Sequence, residues 1–281
     1  DIPRGAIAVM NTAGIAPGLV FRRGKAALIC MPGVPNESRA LLQPCLEAAG
    51  AKKSHREPVL FARTWGLKEN ALYDRLRPVA EKHGVVPGYL PSPGRVDVKA
   101  RGEGAEAFMG EVVSILGKRV YTRERDTTIE QVLGGRLVQL GYHLSTAESC
   151  TGGGAGRAVT GVPGSSGWYS GGVVCYSNRI KTDILGVSKN TLEKHGAVSG
   201  ETALEMARGV AKLTGTQCAV SITGIAGPGG GTLEKPVGTV WTAAVCPGGD
   251  QVHGWRLGGD RETVREGSIA RALGSLLELI T

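Results

Sequence analysis

Ser149 stands just past a short β-like run, Tyr142 to Ala147, and is followed at once by Cys150-Thr151-Gly152-Gly153-Gly154. A helical pattern then resumes toward Val159. A serine at a strand-to-helix junction is a candidate nucleophile, provided that a base lies within reach. The glycines allow turns at positive φ and let a ligand approach bare backbone. The first free N–H groups of the next helix suit an anion or a developing oxyanion. The same serine also fits a helix N-cap, whose hydroxyl bonds those N–H groups, so this segment by itself leaves both roles open. Cys150 is a second candidate nucleophile. No histidine lies in the nearby motifs to activate it, and adjacent side chains at a tight turn point apart, so Ser149 is preferred.

Two further strand ends carry chemistry. Gly172 to Tyr176 reads as a buried strand leaving into a polar loop that ends at Lys181. Ala219 to Thr223 reads as another, running straight into Gly224-Ile225-Ala226-Gly227-Pro228-Gly229-Gly230-Gly231 and then Lys235-Pro236-Val237-Gly238. In open α/β sheets ligands bind outside the carboxyl ends of the strands. Ser149, Tyr176 with Lys181, and Thr223 with its glycine loop are therefore expected to converge on one site.

The segments AESCTGG, VPGSSGWYSGGVVCYSNRIKTDILGV, GAVSGETALEMA, ITGIAGPGGG, KPVGTV and GGDRETVR together resemble the C-terminal domain of the CinA family, over roughly Thr127 to Thr281. The resemblance implies a nicotinamide-nucleotide amidohydrolase. Such an enzyme hydrolyses the carboxamide of nicotinamide mononucleotide (NMN) to nicotinic acid mononucleotide and ammonia, without a cofactor. It also implies a homodimer, and a place for Arg261 in the substrate site through phosphate or ribose. A surface ion pair with Asp260 or Glu262 is the other reading of Arg261.

The residues themselves agree with that chemistry. An amide is a poor electrophile, so the serine must lose its proton as it attacks. A lysine serves as base when desolvation or a cationic neighbour lowers its pKa. Ser149 with Lys181 makes a Ser–Lys arrangement, a known variant of triad logic. Tyr176 is assigned to relay a proton or orient the pair, and Thr223 to hydrogen-bond the lysine or the substrate. Thr151, Gly152, Gly153, Gly227, Gly229 and Gly230 are assigned to substrate binding through exposed backbone N–H groups. A solvated loop cation is the alternative for Lys181, and tight turns alone the alternative for the glycines. Two other readings belong to different classes: a catalytically silent nucleotide-binding regulator, and a competence-associated protein acting on nucleic acid.

The elements that position these residues read as α/β overall. Residues 126–281 are expected to form a three-layer α/β/α domain. Its helices are Ile129 to Leu140, Glu201 to Leu213 and Glu262 to Ile280. Its strands are Tyr142–Ala147, Gly172–Tyr176, Ala219–Thr223, Val237–Val245 and Gln251–Leu257. In the last helix Val264, Ile269, Leu273, Leu276, Leu277 and Ile280 recur at helical spacing and should face the core.

Residues 52–125 read as a small β-α-β-β-α module that resembles the KH-like middle domain of CinA proteins. Pro58 to Thr64 is its first strand, and Leu67 to Lys82 a helix with Leu72, Leu76, Val79 and Ala80 on one face. A hairpin, Val85 to Leu90 and Arg95 to Arg101, turns about Pro91-Ser92-Pro93-Gly94, and Glu103 to Leu116 closes the module. It has no G-x-x-G loop of the KH type.

Residues 1–51 resemble the closing third of the molybdopterin-binding-like domain of the family, with a strand at Ala26 to Cys30. That domain is linked to ADP-ribose pyrophosphatase activity, and its opening strands are absent from the sequence. The chain thus reads as a truncated CinA or a piece of one, without pyrophosphatase activity. The remnant is expected to dock on the rest, pair with a partner chain or be mobile, because a partial sheet exposes an edge.

Composition supports a cytoplasmic enzyme. The 281 residues include 44 glycines, well above the usual share of about 7%. They have no fixed period and fall mainly in turns. No run of about 18 apolar residues occurs, as a membrane span would need. The six cysteines (30, 45, 150, 175, 218 and 246) form no C-x-x-C pair and read as reduced, buried thiols. No histidine pairs with cysteine at metal-ligand spacing, so no metal is expected. The net charge of +8 suits a nucleic-acid binder. The basic residues are spread along the chain, however, and suit an anionic nucleotide substrate equally, so nucleic acid is the disfavoured partner.

Overall fold

The computed structural model describes residues 2–51 and 57–281. Two compact units are present, Asp1–Glu57 and Pro58–Thr281. The expected boundary after residue 51 adjoins residues 52–56, which lie outside the described residues.

The first unit is a three-stranded antiparallel meander, β1 (Ala6–Val9), β2 (Gly18–Arg23) and β3 (Ala26–Cys30), with one helix, α1 (Pro35–Ala48). Its core is small: Val20, Leu41 and Cys45, with Val9 and Ile29 packed around them. Only β3 had a legible strand pattern. The two strands before it, β1 of four residues and β2 of six, were not read from the sequence. Cys30 is exposed, contrary to the expectation that the cysteines are buried.

The second unit begins with β4 (Leu60–Trp65), α2 (Glu69–Lys82), β5 (Gly88–Ser92), β6 (Arg95–Ala100), α3 (Ala105–Leu116) and β7 (Val120–Thr122). The strand order is β5-β6-β4-β7, antiparallel throughout. Leu72, Leu76, Val79 and Ala80 of α2 meet Phe108, Met109 and Val112 of α3 over this sheet. The short strand β7 was not legible; three residues are too few to show a period.

Next come α4 (Ile129–Leu140), β8 (Leu144–Glu148), α5 (Gly154–Thr160), β9 (Tyr169–Val174), α6 (Asn178–Asp183), α7 (Lys189–His195), α8 (Gly200–Thr214), β10 (Cys218–Gly224), β11 (Thr239–Cys246), β12 (Gly249–Arg256) and α9 (Arg261–Ile280). The sheet runs β12-β11-β10-β8-β9. β9, β8 and β10 are parallel, while β11 and β12 are antiparallel additions. One face is covered by α4, α5 and α9 around Leu133, Leu137, Leu273 and Leu276. The other is covered by α8 through Ala203, Met206, Ala207 and Val210. The result is an α/β/α sandwich. Val264, Ile269, Leu273, Leu276, Leu277 and Ile280 are all buried in it.

The chain leaves β8 on one side to form β9, then crosses to β8's other side to form β10. The crevice outside the carboxyl end of β8 is thus a topological switch point, where such sheets bind ligands. Ser149 is the residue that follows β8. Among the described residues no helix is long and apolar enough to cross a membrane.

Candidate active site

Ser149 is held by both neighbours of its strand. Its N–H donates to the Ile222 carbonyl of β10 at 2.9 Å. One residue earlier, the Glu148 carbonyl accepts from the Cys175 N–H, just past β9, at 2.8 Å. These bonds extend the parallel ladder beyond its last regular pairs, so the position of Ser149 is set by the sheet and not by a loose loop.

Lys181 arrives from α6 and not from a loop, a correction to the sequence reading. Ser177 caps that helix by accepting from the Ile180 N–H at 3.3 Å. The six-residue helix is too short to show a hydrophobic period, which is why it looked like polar loop. It turns Lys181 inward until only 1% of the residue is exposed. Nζ lies 3.2 Å from Ser149 Oγ, 2.6 Å from the Cys175 carbonyl oxygen and 3.5 Å from that of Tyr176. No carboxylate pairs with it among the described residues. Burial lowers its pKa from the ordinary value of 10.5, and the nearby Cys175 and Cys150 oppose that shift only in part.

Cys150 beside the serine is 6% exposed. Burial pushes its thiol up to about 11, outweighing the nearby Arg261 and Arg265. A thiol so placed stays protonated near neutral pH, and the thiolate is the nucleophilic form.

Ser149, Cys150, Tyr176, Lys181, Thr223 and Arg261 share a cavity of about 280 Å³. Its far wall is the loop Gly224 to Gly230, including Gly227, Gly229 and Gly230, and its side wall is Ala197 and Val198. Among the described residues the N–H groups of Cys150, Gly227, Gly229 and Gly230 donate to no protein acceptor. Arg261 opens α9, and its Nη1 donates to the Gly227 carbonyl at 2.6 Å. It forms no ion pair with Asp260 or Glu262: Asp260 caps α9 through the Thr263 N–H, and Glu262 pairs with Arg265.

The match over residues 126–280 is to the CinA C-terminal domain. Over 98% of its length the chain is 37% identical to a CinA-like protein from Desulfotalea psychrophila, of which it covers 69%. A CinA-like protein from Parasynechococcus marenigrum is 36% identical over the same shares. The chain belongs to the CinA family. Among solved structures, a competence/damage inducible protein from Agrobacterium tumefaciens superposes with a TM-score of 0.52 at 41% identity, covering 56% of this chain and 99% of that one. A CinA superfamily protein from Escherichia coli gives 0.53 at 35% identity, covering 58% and 98%.

Within this CinA domain, several assigned residues play other parts than expected. The Tyr176 side chain is 63% exposed, and it is the carbonyl of this residue, not the hydroxyl, that faces Lys181. Thr223 Oγ1 donates to the Ala197 carbonyl at 2.7 Å and so fixes the side wall; it does not touch the lysine. Thr151, Gly152 and Gly153 lie outside the cavity lining. The Thr151 carbonyl accepts from Arg265 Nη2, and Gly152 and Gly153 take φ of 58° and 94°, a pair of left-handed turns that favours glycine.

Glu148 is the residue that sequence reasoning missed. Its buried carboxylate accepts from the N–H groups of Gly153 at 3.1 Å, Ala155 at 2.9 Å and Gly156 at 2.8 Å. The N-terminus of α5, expected to hold a substrate anion, is already filled by a side chain of the protein. A glutamate before a serine-glycine turn was the available signal. A strand of five residues that are all buried has no room for an unpartnered carboxylate.

Proposed function

We propose that this CinA-family protein hydrolyses the carboxamide of nicotinamide mononucleotide to nicotinic acid mononucleotide and ammonia, with Ser149 as nucleophile and Lys181 as general base. The observation that carries the proposal is the buried amine of Lys181 beside Ser149 Oγ, with carbonyl oxygens and no carboxylate as its other partners. A neutral amine fits that set. In the resting structure Nζ donates to both carbonyls and to Ser149 Oγ; once neutral, it has two N–H groups for the carbonyls and a lone pair for the serine proton. Burial favours that neutral form.

In the proposed first step Ser149 Oγ bonds to the carboxamide carbon and its proton passes to Lys181 Nζ. The N–H of Cys150, which donates to no backbone acceptor among the described residues, would stabilise the developing oxyanion. Collapse of the tetrahedral adduct breaks the C–N bond, and the lysine proton goes to the departing nitrogen, giving ammonia and a Ser149 ester. Water then attacks the ester carbon, passing a proton through Lys181 back to Ser149 Oγ and releasing the carboxylate.

Arg261 and the N–H groups of Gly227, Gly229 and Gly230 supply the donors that a nucleotide phosphate needs. The test is direct: the purified chain is incubated with NMN and ammonia is assayed against a heat-inactivated control. Enzymatic ammonia release supports the proposal, and its absence alongside undiminished NMN binding indicates a silent nucleotide-binding protein.

A further inference from the structure

A second cavity, of about 420 Å³, lies within the unit Pro58–Thr281, where the β5–β6 hairpin meets the first half of α9. The approach is close: a Cβ on Gly94 would stand 2.8 Å from both the Ala270 Cβ and the Gly267 carbonyl oxygen. Lys68, Arg95, Arg256 and Arg271 line the cavity, against a single carboxylate, Glu69. None of these four cations forms an ion pair among the described residues.

Arg271 is the unusual member. It is 8% exposed, stacks over the Trp255 ring at 5.2 Å and spends Nη1 on the Gly267 carbonyl at 3.0 Å. Its Nε has no hydrogen-bond partner, and neither has that of Arg95. Burial, reinforced by nearby Arg119, pushes Arg271 down to about 10, yet it remains charged at neutral pH. Buried guanidinium groups are normally paired, because an uncompensated charge in a protein interior is costly. Arg256 is tied by Nη1 to the Thr239 hydroxyl, which orients it without neutralising it.

We propose that this cavity binds the phosphate groups of a small organic diphosphate or polyphosphate, at a site separate from the Ser149 cavity. Several guanidinium groups converging from different elements suit more than one phosphate oxygen cluster, since each can offer paired N–H donors. Leu67, Pro91 and Leu257 give the same cavity an apolar flank for the organic part. The hairpin wall and the apolar flank suit a small molecule, in contrast to the extended stripe of cations that tracks a nucleic-acid backbone.

Helix α9 supplies Arg261 to the first cavity and Thr263, Gly267 and Arg271 to the second, so the test must separate them. Inorganic pyrophosphate is titrated into the full chain by calorimetry, and Trp255 emission is followed in parallel. Lys68 and Arg256 are exposed, so K68Q/R256Q should keep the fold, which an unchanged unfolding midpoint verifies. The expected result is saturable pyrophosphate binding that K68Q/R256Q weakens at least tenfold, that R95Q weakens likewise, and that R261Q leaves intact. Turnover of NMN by K68Q/R256Q should be unaltered. The proposal is overturned by an absence of saturable binding, or by loss in R261Q with retention in K68Q/R256Q, which places the anion in the Ser149 cavity. It is equally overturned if these cations bind a duplex oligonucleotide and pyrophosphate does not compete.

Discussion

Glu148 and Ser149 are neighbours in sequence whose side chains serve opposite sides of the sheet end. The Glu148 carboxylate turns toward α5 and takes three of its N–H groups, while Ser149 Oγ turns toward Lys181. Successive side chains at a strand end alternate in direction, so one residue anchors the turn and the next is presented to the cavity. The anchoring leaves Ser149 in place before any substrate arrives, the preorganisation that a nucleophile requires.

The first prediction follows from that placement. Ser149→Ala should abolish NMN turnover while leaving nucleotide binding and the unfolding midpoint nearly unchanged. Cys150→Ala should retain turnover, because its thiol is held protonated by burial. Steady-state kinetics with binding by calorimetry decides it, and the opposite pattern would move the nucleophile to Cys150.

Lys181 supplies the second, with two readouts. Lys181→Met should cost several orders of magnitude in kcat, and Lys181→Arg should not rescue it, because guanidinium keeps its proton. In the wild type, kcat/KM should rise with pH through a lysine pKa that burial lowers from 10.5. Stability moves the other way. Below its folded pKa the lysine carries its full desolvation penalty, and that penalty fades as pH climbs toward the unfolded value of 10.5. Lys181→Met should therefore raise the melting temperature at neutral pH, by about 2–4 °C per kcal/mol recovered, and the gain should shrink in alkaline buffer. A fully active arginine variant would rule out general-base chemistry here.

The buried carboxylate cap gives a third test. Glu148→Gln keeps the volume but turns an amide NH2 toward backbone donors, so at least one N–H at the start of α5 loses its acceptor. The expected loss is about 1–3 kcal/mol of stability, read from denaturant midpoints, together with reduced kcat as Ser149 shifts. A variant as stable as the wild type would show that the three bonds contribute nothing.

A fourth prediction concerns the phosphate. With α5 already capped, the donors left are Arg261 and the loop from Gly227 to Gly230. Replacing NMN by its dephosphorylated riboside should lower kcat/KM by two or more orders of magnitude, and Arg261→Gln should remove most of that discrimination. Equal kcat/KM for the two substrates would exclude a phosphate site.

Much of the candidate site was legible because its signals are local. Ser149 at the end of an apolar run, Thr223 entering a glycine loop and the long periodic pattern of α9 each reflect one element's own backbone and burial demands, which composition and period record. The order of buried residues in α2 and α9 was readable for the same reason. What only the tertiary structure decided is which groups face one another. Lys181 meets Ser149 because a six-residue helix, too short for a period, turns it inward beside a neighbouring strand. Thr223 bonds Ala197 and not the lysine, and Tyr176 turns its carbonyl, not its hydroxyl, toward Lys181. Glu148 fills the helix terminus that looked free for an anion. Hydrogen-bond partners are chosen among donors and acceptors brought together from distant positions. A sequence states what each residue offers, and the packing of β8 between β9 and β10 settles who accepts it.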